Sequence, residues 1–131
     1  VVLAQRRVEA ARLAREVVSI ERHAALADRA CGVLKSLGFE NVTVLVGDGT
    51  QGHPARAPFD AILVTAGGPH VPPPLEAQLA VGGRLVCPVG PRDVQELVRI
   101  VRTPEGIERE TGIKCSFVPL IGEEGWEGTP E

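Results

Sequence analysis

Four short runs of β-branched and aliphatic residues recur along the chain, and their spacing limits the folds that the sequence can adopt. They are Val17–Glu21 (VVSIE) and residues 41–46 (NVTVLV), 59–65 (FDAILVT) and 84–89 (RLVCPV). Runs of this length and composition predict strands. The apolar centre of the third run, residues 61–64, predicts a strand that is covered on both faces, as in parallel sheets.

Helical patterns alternate with these strands. Residues 8–15 (VEAARLAR) form a short amphipathic pattern, and residues 24–37 place apolar side chains at helical spacing, with Gly38 where a glycine would close the helix. Residues 75–80 (LEAQLA) predict about two helical turns, followed by a turn at Gly82-Gly83. Strands and helices in alternation predict an open α/β sheet with mostly parallel strands.

The last part of the chain has a different pattern, with no helix between its strand-like segments. Two strand-like segments, QELVRIVR and IERETGIKCSFVPL, flank the turn signal Thr103-Pro104-Glu105-Gly106 and predict an antiparallel hairpin. The polar residues 122–131 predict a loose tail. A length of 131 residues is typical of one domain, so we expect a single domain over residues 1–131.

Composition excludes several classes of protein. The chain is 44% hydrophobic and 24% charged, and its net charge of −3 comes without a basic block, which argues against nucleic-acid binding. No apolar run approaches the roughly 20 residues that span a bilayer, so no membrane interaction is expected. The three cysteines are odd in number and lack a CxxC spacing, which favours reduced thiols and a cytoplasmic protein.

Residues 47–52 (GDGTQG) fit the dinucleotide-binding pattern GxGxxG, but their surroundings do not. The pattern requires a helix after the glycines, and here a proline-containing loop and another strand follow. Gly47 and Gly49 are therefore interpreted as a tight turn leaving a strand. Asp48 between them is a carboxylate at a strand end, where it can accept a hydrogen bond from an amino group such as that of adenine.

Glu21 occupies the equivalent position on the preceding strand. An acid at the carboxyl end of a strand in such a sheet can bind both hydroxyls of a ribose. The alternative is a solvated carboxylate that favours the dipole of the helix at residues 24–37. Glu21 and Asp48 on successive strand ends together favour an adenosine-shaped ligand. No metal-ligand spacing and no nucleophile motif is present, so we predict neither a metal site nor a catalytic side chain.

An ordered set of segments resembles a known family. These segments are VVSIERHAALADRA, VTVLVGDGTQG, APFDAILVTAGGPHVPPPLEAQLAVGGRLVCPVG, FVPLIG and the following GW. They are similar to the protein-L-isoaspartate O-methyltransferases, and the likeness runs from about Val17 to Trp126. The resemblance implies a Rossmann-like fold, S-adenosylmethionine as cofactor and protein or peptide substrates that contain isoaspartyl residues.

The resemblance also implies roles for particular residues. Glu21 matches the ribose-binding acid, and Arg22 its neighbour along the cofactor. Asp48 and Gly49 match the adenine-binding turn. Thr65 falls in the segment that closes the donor site, and Val118, Pro119 and Leu120 match the strand that lines the peptide.

The sequence departs from the family at its beginning. Family members carry, ahead of the part matching Val17, a Ser/Gln-containing substrate segment, a first strand and a glycine-rich cofactor turn. Residues 1–16 contain no glycine, so we expect an amino-terminally incomplete methyltransferase domain in which these residues are atypical. The function that follows is methyl transfer to isoaspartyl carboxylates. The alternative is a non-catalytic Rossmann-like interaction module or an inactive homologue, and a dinucleotide oxidoreductase ranks third.

Overall fold

The computed structural model describes residues 16–128, and the chain divides into two compact units, Val1–Gly49 and Thr50–Glu131. The helix predicted over residues 8–15 lies outside the described residues. The longest helix between residues 16 and 128 has 13 residues, and none there has the length and apolar character needed to cross a membrane.

The first unit is a strand–helix–strand motif. Strand β1 (Val17–Glu21) and strand β2 (Val42–Val46) pair in parallel, with Val17 opposite Val42 and Glu21 opposite Val46. Helix α1 (Ala24–Ser36) connects them and lies against both strands. It buries small or aliphatic side chains that recur at helical spacing: Ala27, Ala30 and Leu34. The predicted helix and both predicted strands are confirmed.

The end of α1 shows how sequence fixes the connection to β2. Gly38 has a positive φ of 80°, and its N–H donates to the carbonyl of Lys35 at 3.1 Å. The N–H of Phe39 donates to the carbonyl of Leu34 at 3.0 Å. These two bonds form a Schellman motif, which satisfies helix carbonyls that have no partner within the helix. Gly38 closes the helix as predicted.

The second unit contains a four-stranded sheet and one short helix. Its elements are β3 (Phe59–Leu63), α2 (Pro73–Ala77), β4 (Leu79–Val89), β5 (Gln95–Thr103) and β6 (Gly106–Cys115). The strand order is β3-β4-β5-β6, with β3 parallel to β4 and the other two pairings antiparallel. The predicted hairpin is confirmed as β5 and β6. The core of the unit is formed by aliphatic side chains and one thiol: Leu75, Leu79, Leu85, Cys87, Val98, Ile100 and Leu120.

Two details of this unit differ from the sequence-based expectation. Helix α2 ends at Ala77, and the residues that follow join β4, so the strand begins five residues before the predicted start at residue 84. Leu79 is almost completely buried, and this burial outweighs the helix propensity of LEAQLA. The predicted turn at Gly82-Gly83 lies inside β4, opposite an irregular register between Phe59 and Ala61.

The prediction that β3 is covered on both faces is wrong for the described structure. Ala61 is exposed, and Leu63 is 50% exposed. Among residues 16–128, β4 is the one strand that pairs with β3, so β3 lies at the edge of the described sheet. The α/β class with a carboxyl-terminal hairpin is confirmed, and the antiparallel part extends to the β4–β5 pairing.

Candidate functional site

The carboxyl ends of β1 and β2 bring the two predicted adenosine ligands to one edge of the first unit. Glu21 is the last residue of β1 and is paired with Val46, the last residue of β2. Asp48 follows two residues later. Because paired strands lie about 4.8 Å apart, the register places both carboxylates at neighbouring strand ends. The N–H of Gly47 donates to the carbonyl of Glu21 at 3.0 Å and ties the turn to β1.

The side chain of Glu21 also contacts the start of α1. Its Oε1 accepts a hydrogen bond from the N–H of His23, the N-cap residue, at 3.3 Å. This bond supports the helix-start interpretation of Glu21. A carboxylate can accept about four hydrogen bonds on its two oxygens, so this bond is compatible with others to the same side chain. The bond to the start of the helix holds the Glu21 carboxylate at the strand end next to the turn that carries Asp48, and its predicted role in ribose binding stays a prediction.

The other two residues predicted for the adenosine contact lie beside these acids. Arg22 directly follows Glu21 and is exposed. Gly49 begins a single 3₁₀ turn, Gly49–Gln51, and a second one, Pro54–Arg56, precedes β3. No α-helix follows residues 47–52 before β3, so the GxGxxG match has no helix amino terminus to hold a phosphate.

In the second unit, the segment containing Thr65 and the segment 118–120 are neighbours. Gly67 forms a parallel bridge with Pro119: its N–H donates to the carbonyl of Val118 at 2.8 Å, and its carbonyl accepts from the N–H of Leu120 at 2.9 Å. Thr65 lies two residues before this bridge and is 7% exposed. The segment that contains the predicted donor-site residue is therefore hydrogen-bonded, through Gly67, to the predicted peptide-binding segment.

The three residues of the peptide-binding segment differ in exposure. Val118 is 67% exposed and Pro119 is also exposed, whereas Leu120 is 1% exposed and belongs to the core of the unit. A ligand can reach the side chains of the first two. Leu120 anchors the segment to the core, so any role in peptide binding is through its neighbours.

Sequence reasoning missed Gln95, the first residue of β5, which is 1% exposed. Its Oε1 accepts from the N–H of Phe117 at 2.9 Å. Its Nε2 donates to the carbonyls of Pro91 and Arg92 at 2.7 and 3.1 Å. A Cβ at Gly67 would collide with the Gln95 side chain. One buried amide thus connects the loop after β3, the turn after β4 and the segment after β6.

Gln78, also missed, has a similar role between α2 and β4. Its Oε1 accepts from the N–H of His53 at 2.8 Å, and its Nε2 donates to the carbonyl of Gln51 at 2.9 Å. It is 7% exposed. The amide therefore fixes the loop between the two 3₁₀ turns by satisfying backbone groups that no strand or helix would otherwise pair.

Part of the segment predicted to be a loose tail makes specific contacts. The indole Nε1 of Trp126 donates to the carbonyl of Gly67 at 3.0 Å, and its main-chain N–H donates to the carbonyl of Leu120 at 2.7 Å. The guanidinium of Arg92 lies 5.1 Å from the centre of the Trp126 ring. Trp126 therefore attaches this segment to the loop after β3. Residues 129–131 lie outside the described residues.

The sequence of the chain is similar to those of known proteins. Residues 3–125 match the family described as protein-L-isoaspartate(D-aspartate) O-methyltransferase. A protein-L-isoaspartate O-methyltransferase from Syntrophus aciditrophicus is 53% identical over 121 residues, which are 90% of this chain and 56% of that protein. One from Trichlorobacter lovleyi is 56% identical over 118 residues, which are 89% of this chain and 54% of that protein.

Solved structures give the same relationship. A protein-L-isoaspartate O-methyltransferase superposes with a TM-score of 0.76 at 30% identity, over 84% of this chain and 35% of the other. A Plasmodium falciparum protein described by the same activity, in complex with S-adenosyl-L-homocysteine, gives a TM-score of 0.70 at 25% identity, over 81% and 52%. The chain spans about half the length of the curated relatives it matches. By its sequence and its fold, the chain belongs to the protein-L-isoaspartate(D-aspartate) O-methyltransferase family.

Proposed function

We propose that the protein transfers a methyl group from S-adenosylmethionine to the carboxylate of L-isoaspartyl residues in damaged proteins. The observation that carries the proposal is the pair of carboxylates, Glu21 and Asp48, at neighbouring parallel strand ends. Membership of the family supplies the chemical context, and a related structure is described as a complex with S-adenosyl-L-homocysteine.

The residues of the first unit fit the adenosine part of this cofactor. Glu21 would accept hydrogen bonds from the two ribose hydroxyls, and the exposed Arg22 directly follows it. Asp48 would accept a hydrogen bond from the adenine amino group, and Gly49, which has no side chain, would leave room for the ring beside the turn. Each of these contacts satisfies a polar group of the ligand, which gives specificity for adenosine.

The residues of the second unit fit the peptide part. Val118 and Pro119 present an exposed edge next to the Thr65–Gly67 segment, which we assign to the donor site. When bound, S-adenosylmethionine supplies a methyl group that its sulfonium already activates. The attacking isoaspartyl carboxylate has a pKa near 4 and is ionised at neutral pH, so the protein needs no general base. Its contribution is orientation, which can be worth roughly 7–11 kcal/mol.

A reducing, cytoplasmic setting is part of the proposal. All three cysteines, Cys31, Cys87 and Cys115, are free thiols. A protein of an oxidising compartment more often pairs its cysteines.

The decisive experiment measures transfer of a labelled methyl group from S-adenosylmethionine to an isoaspartyl peptide. The protein is expressed from the complete open reading frame that encodes this chain. The expected result is labelling of the isoaspartyl peptide and none of the same peptide with normal aspartate. Glu21→Ala and Asp48→Ala should both weaken cofactor binding, whereas Glu40→Ala, at an exposed position before β2, is the matched control.

Two results would contradict the proposal. Absence of transfer together with no heat of binding for S-adenosylhomocysteine would favour a non-catalytic interaction module. A thermal shift with NAD and none with S-adenosylhomocysteine would favour an oxidoreductase.

A further inference from the structure

The short segment Leu120 to Glu127, here called the strap, closes on itself and on the loop after β3. The main-chain N–H of Trp126 donates to the carbonyl of Leu120, and the N–H of Gly122 donates to the carbonyl of Trp126 at 3.2 Å. Ile121 and Trp126 form a bridge. Because the two ends of this turn are hydrogen-bonded to each other, the main chain at Trp126 is held in place.

The indole of Trp126 is held on its face as well as at its edge. Arg92, from the turn after β4, lies over the ring, and its Nη2 donates to the carbonyl of Glu127 at 3.3 Å. A guanidinium at this distance from an indole is in the range of a cation–π interaction. Arg92 therefore contacts the face of the ring, and its bond to Glu127 holds the guanidinium in that place.

The acceptor of the indole N–H is the carbonyl of Gly67, which also takes part in the bridge to residues 118–120. The carbonyl of Gly67 accepts from Trp126 Nε1 at 3.0 Å and from the N–H of Leu120 at 2.9 Å. A carbonyl oxygen has two lone pairs, so these two donors match its acceptor capacity. The second of these bonds belongs to the bridge that holds residues 118–120. A shift of Gly67 would therefore move the segment that we assign to peptide binding.

Two further contacts join Glu124 of the strap to residues before and after β3. The N–H of Glu124 donates to Oγ1 of the buried Thr50 at 3.2 Å. The Glu124 carboxylate lies 3.3 Å from Nε2 of His70, in the loop after β3. The strap thus reaches the loops that follow β3 and β4, where ligands of an α/β sheet bind.

We propose that Trp126 is a positioning residue for the peptide substrate, because its indole N–H fixes Gly67 and, through it, the exposed edge at Val118 and Pro119. The inference rests on the proposed function and adds to it a residue that determines peptide affinity. Trp126 touches none of the reacting atoms in this assignment. Its loss should therefore affect peptide binding more than cofactor binding or the chemical step.

The test is Trp126→Phe in the protein expressed from the complete reading frame. The change removes the N–H and keeps an aromatic ring under Arg92. The KM for an isoaspartyl peptide should rise about three- to tenfold, the factor that corresponds to one net hydrogen bond. The kcat should stay within about twofold, and the Kd for S-adenosylhomocysteine should not change. Amide hydrogen exchange at Leu120 and Gly67 should become faster, while exchange at Val98 and Ile100 in the sheet stays unchanged.

Glu110→Gln is the matched control, because it breaks an exposed contact of the hairpin, Arg99 to Glu110 at 3.5 Å, away from the strap. If Trp126→Phe does not fold, Glu124→Gln loosens the same strap from its His70 side, and a smaller rise in peptide KM is expected. An unchanged peptide KM in the variant that folds overturns the inference. A parallel rise in the Kd for S-adenosylhomocysteine also overturns it, since that indicates general loss of structure. If the unaltered protein transfers no methyl group, the proposed function fails first.

Discussion

At the scale of single residues, Cys87 shows how burial controls reactivity. Its side chain is buried in the core of the second unit, and burial raises the pKa of the thiol from 9.0 to about 12, with a smaller opposing effect of Arg109. Because the thiolate is the reactive form, native Cys87 should resist alkylation at mildly alkaline pH, while the exposed Cys31 should react. Mass spectrometry after iodoacetamide treatment, with and without denaturant, measures this difference.

The same raised pKa predicts a pH dependence of stability. The unfolded chain loses the Cys87 proton near pH 9, and the folded chain keeps it to about 12. The stabilisation is therefore fully present below pH 9 and is lost as the pH rises towards 12. Urea unfolding across this range should show a steeper alkaline decline for the native sequence than for Cys87→Ala. Equal declines would contradict the assignment, and Cys115→Ala serves as control.

Single residues also mark the limit of sequence-based prediction. The positions of Glu21 and Asp48 at or just after strand ends could be predicted, because strand ends follow from the periodicity of the sequence. Gln78 and Gln95 could not, because glutamine is usually exposed and no local pattern marks these two as buried. Their hydrogen-bond partners lie as far as 27 and 22 residues away in the chain. Only the tertiary fold brings such partners together.

At the scale of elements, helix α1 offers one substitution at two glycines with opposite expected effects. Gly38 has a φ of 80°, where a Cβ is strained, so Gly38→Ala should lower the free energy of unfolding by about 1 kcal/mol. Gly32 lies inside the helix, and a Cβ added there would meet open space, so Gly32→Ala should raise it by about 0.5–1 kcal/mol. Urea denaturation measures both, and equal signs would contradict the capping role of Gly38.

Elements were predictable where local chemistry and tertiary contacts agree. Helix α1 and the β5–β6 hairpin have end signals, Gly38 and the turn at residues 103–106, that lie where the structure uses them. The start of β4 was missed because residues 75–80 are good helix formers, whereas Leu79, which is buried, and Ala80 belong to the sheet. Local propensity is a weak guide when a core position decides the outcome.

At the scale of the whole molecule, ligand binding should appear as added stability. A ligand that binds only the folded state stabilises it by about 2.7 kcal/mol at 100 times its Kd. S-adenosylhomocysteine at that concentration should raise the midpoint of thermal unfolding, and NAD should not. The rise should be lost in Asp48→Ala and retained in Glu40→Ala. A rise of equal size in Asp48→Ala would show that the ligand binds elsewhere.

The α/β class and the resemblance to a family were also predictable at this scale, because they depend on the order of elements along the chain. The division into two compact units was not. Neither was the position of β3 at the edge of its described sheet, since an apolar run such as FDAILV has the same composition in a central strand and an edge strand. The sequence of a strand does not by itself determine which strands pair with it, because pairing depends on the whole fold.

The contact between Gly67 and Gln95 has a consequence for how relatives of this chain can diverge. The Gln95 side chain occupies the volume that a Cβ on Gly67 would need, so the two positions should co-vary in an alignment. A relative with a larger residue at the first position should carry a shorter one at the second, and it then needs another donor for the carbonyls of Pro91 and Arg92. In a double-mutant cycle the two substitutions should be strongly non-additive. A substitution at either position should therefore be tolerated only together with a compensating substitution at the other.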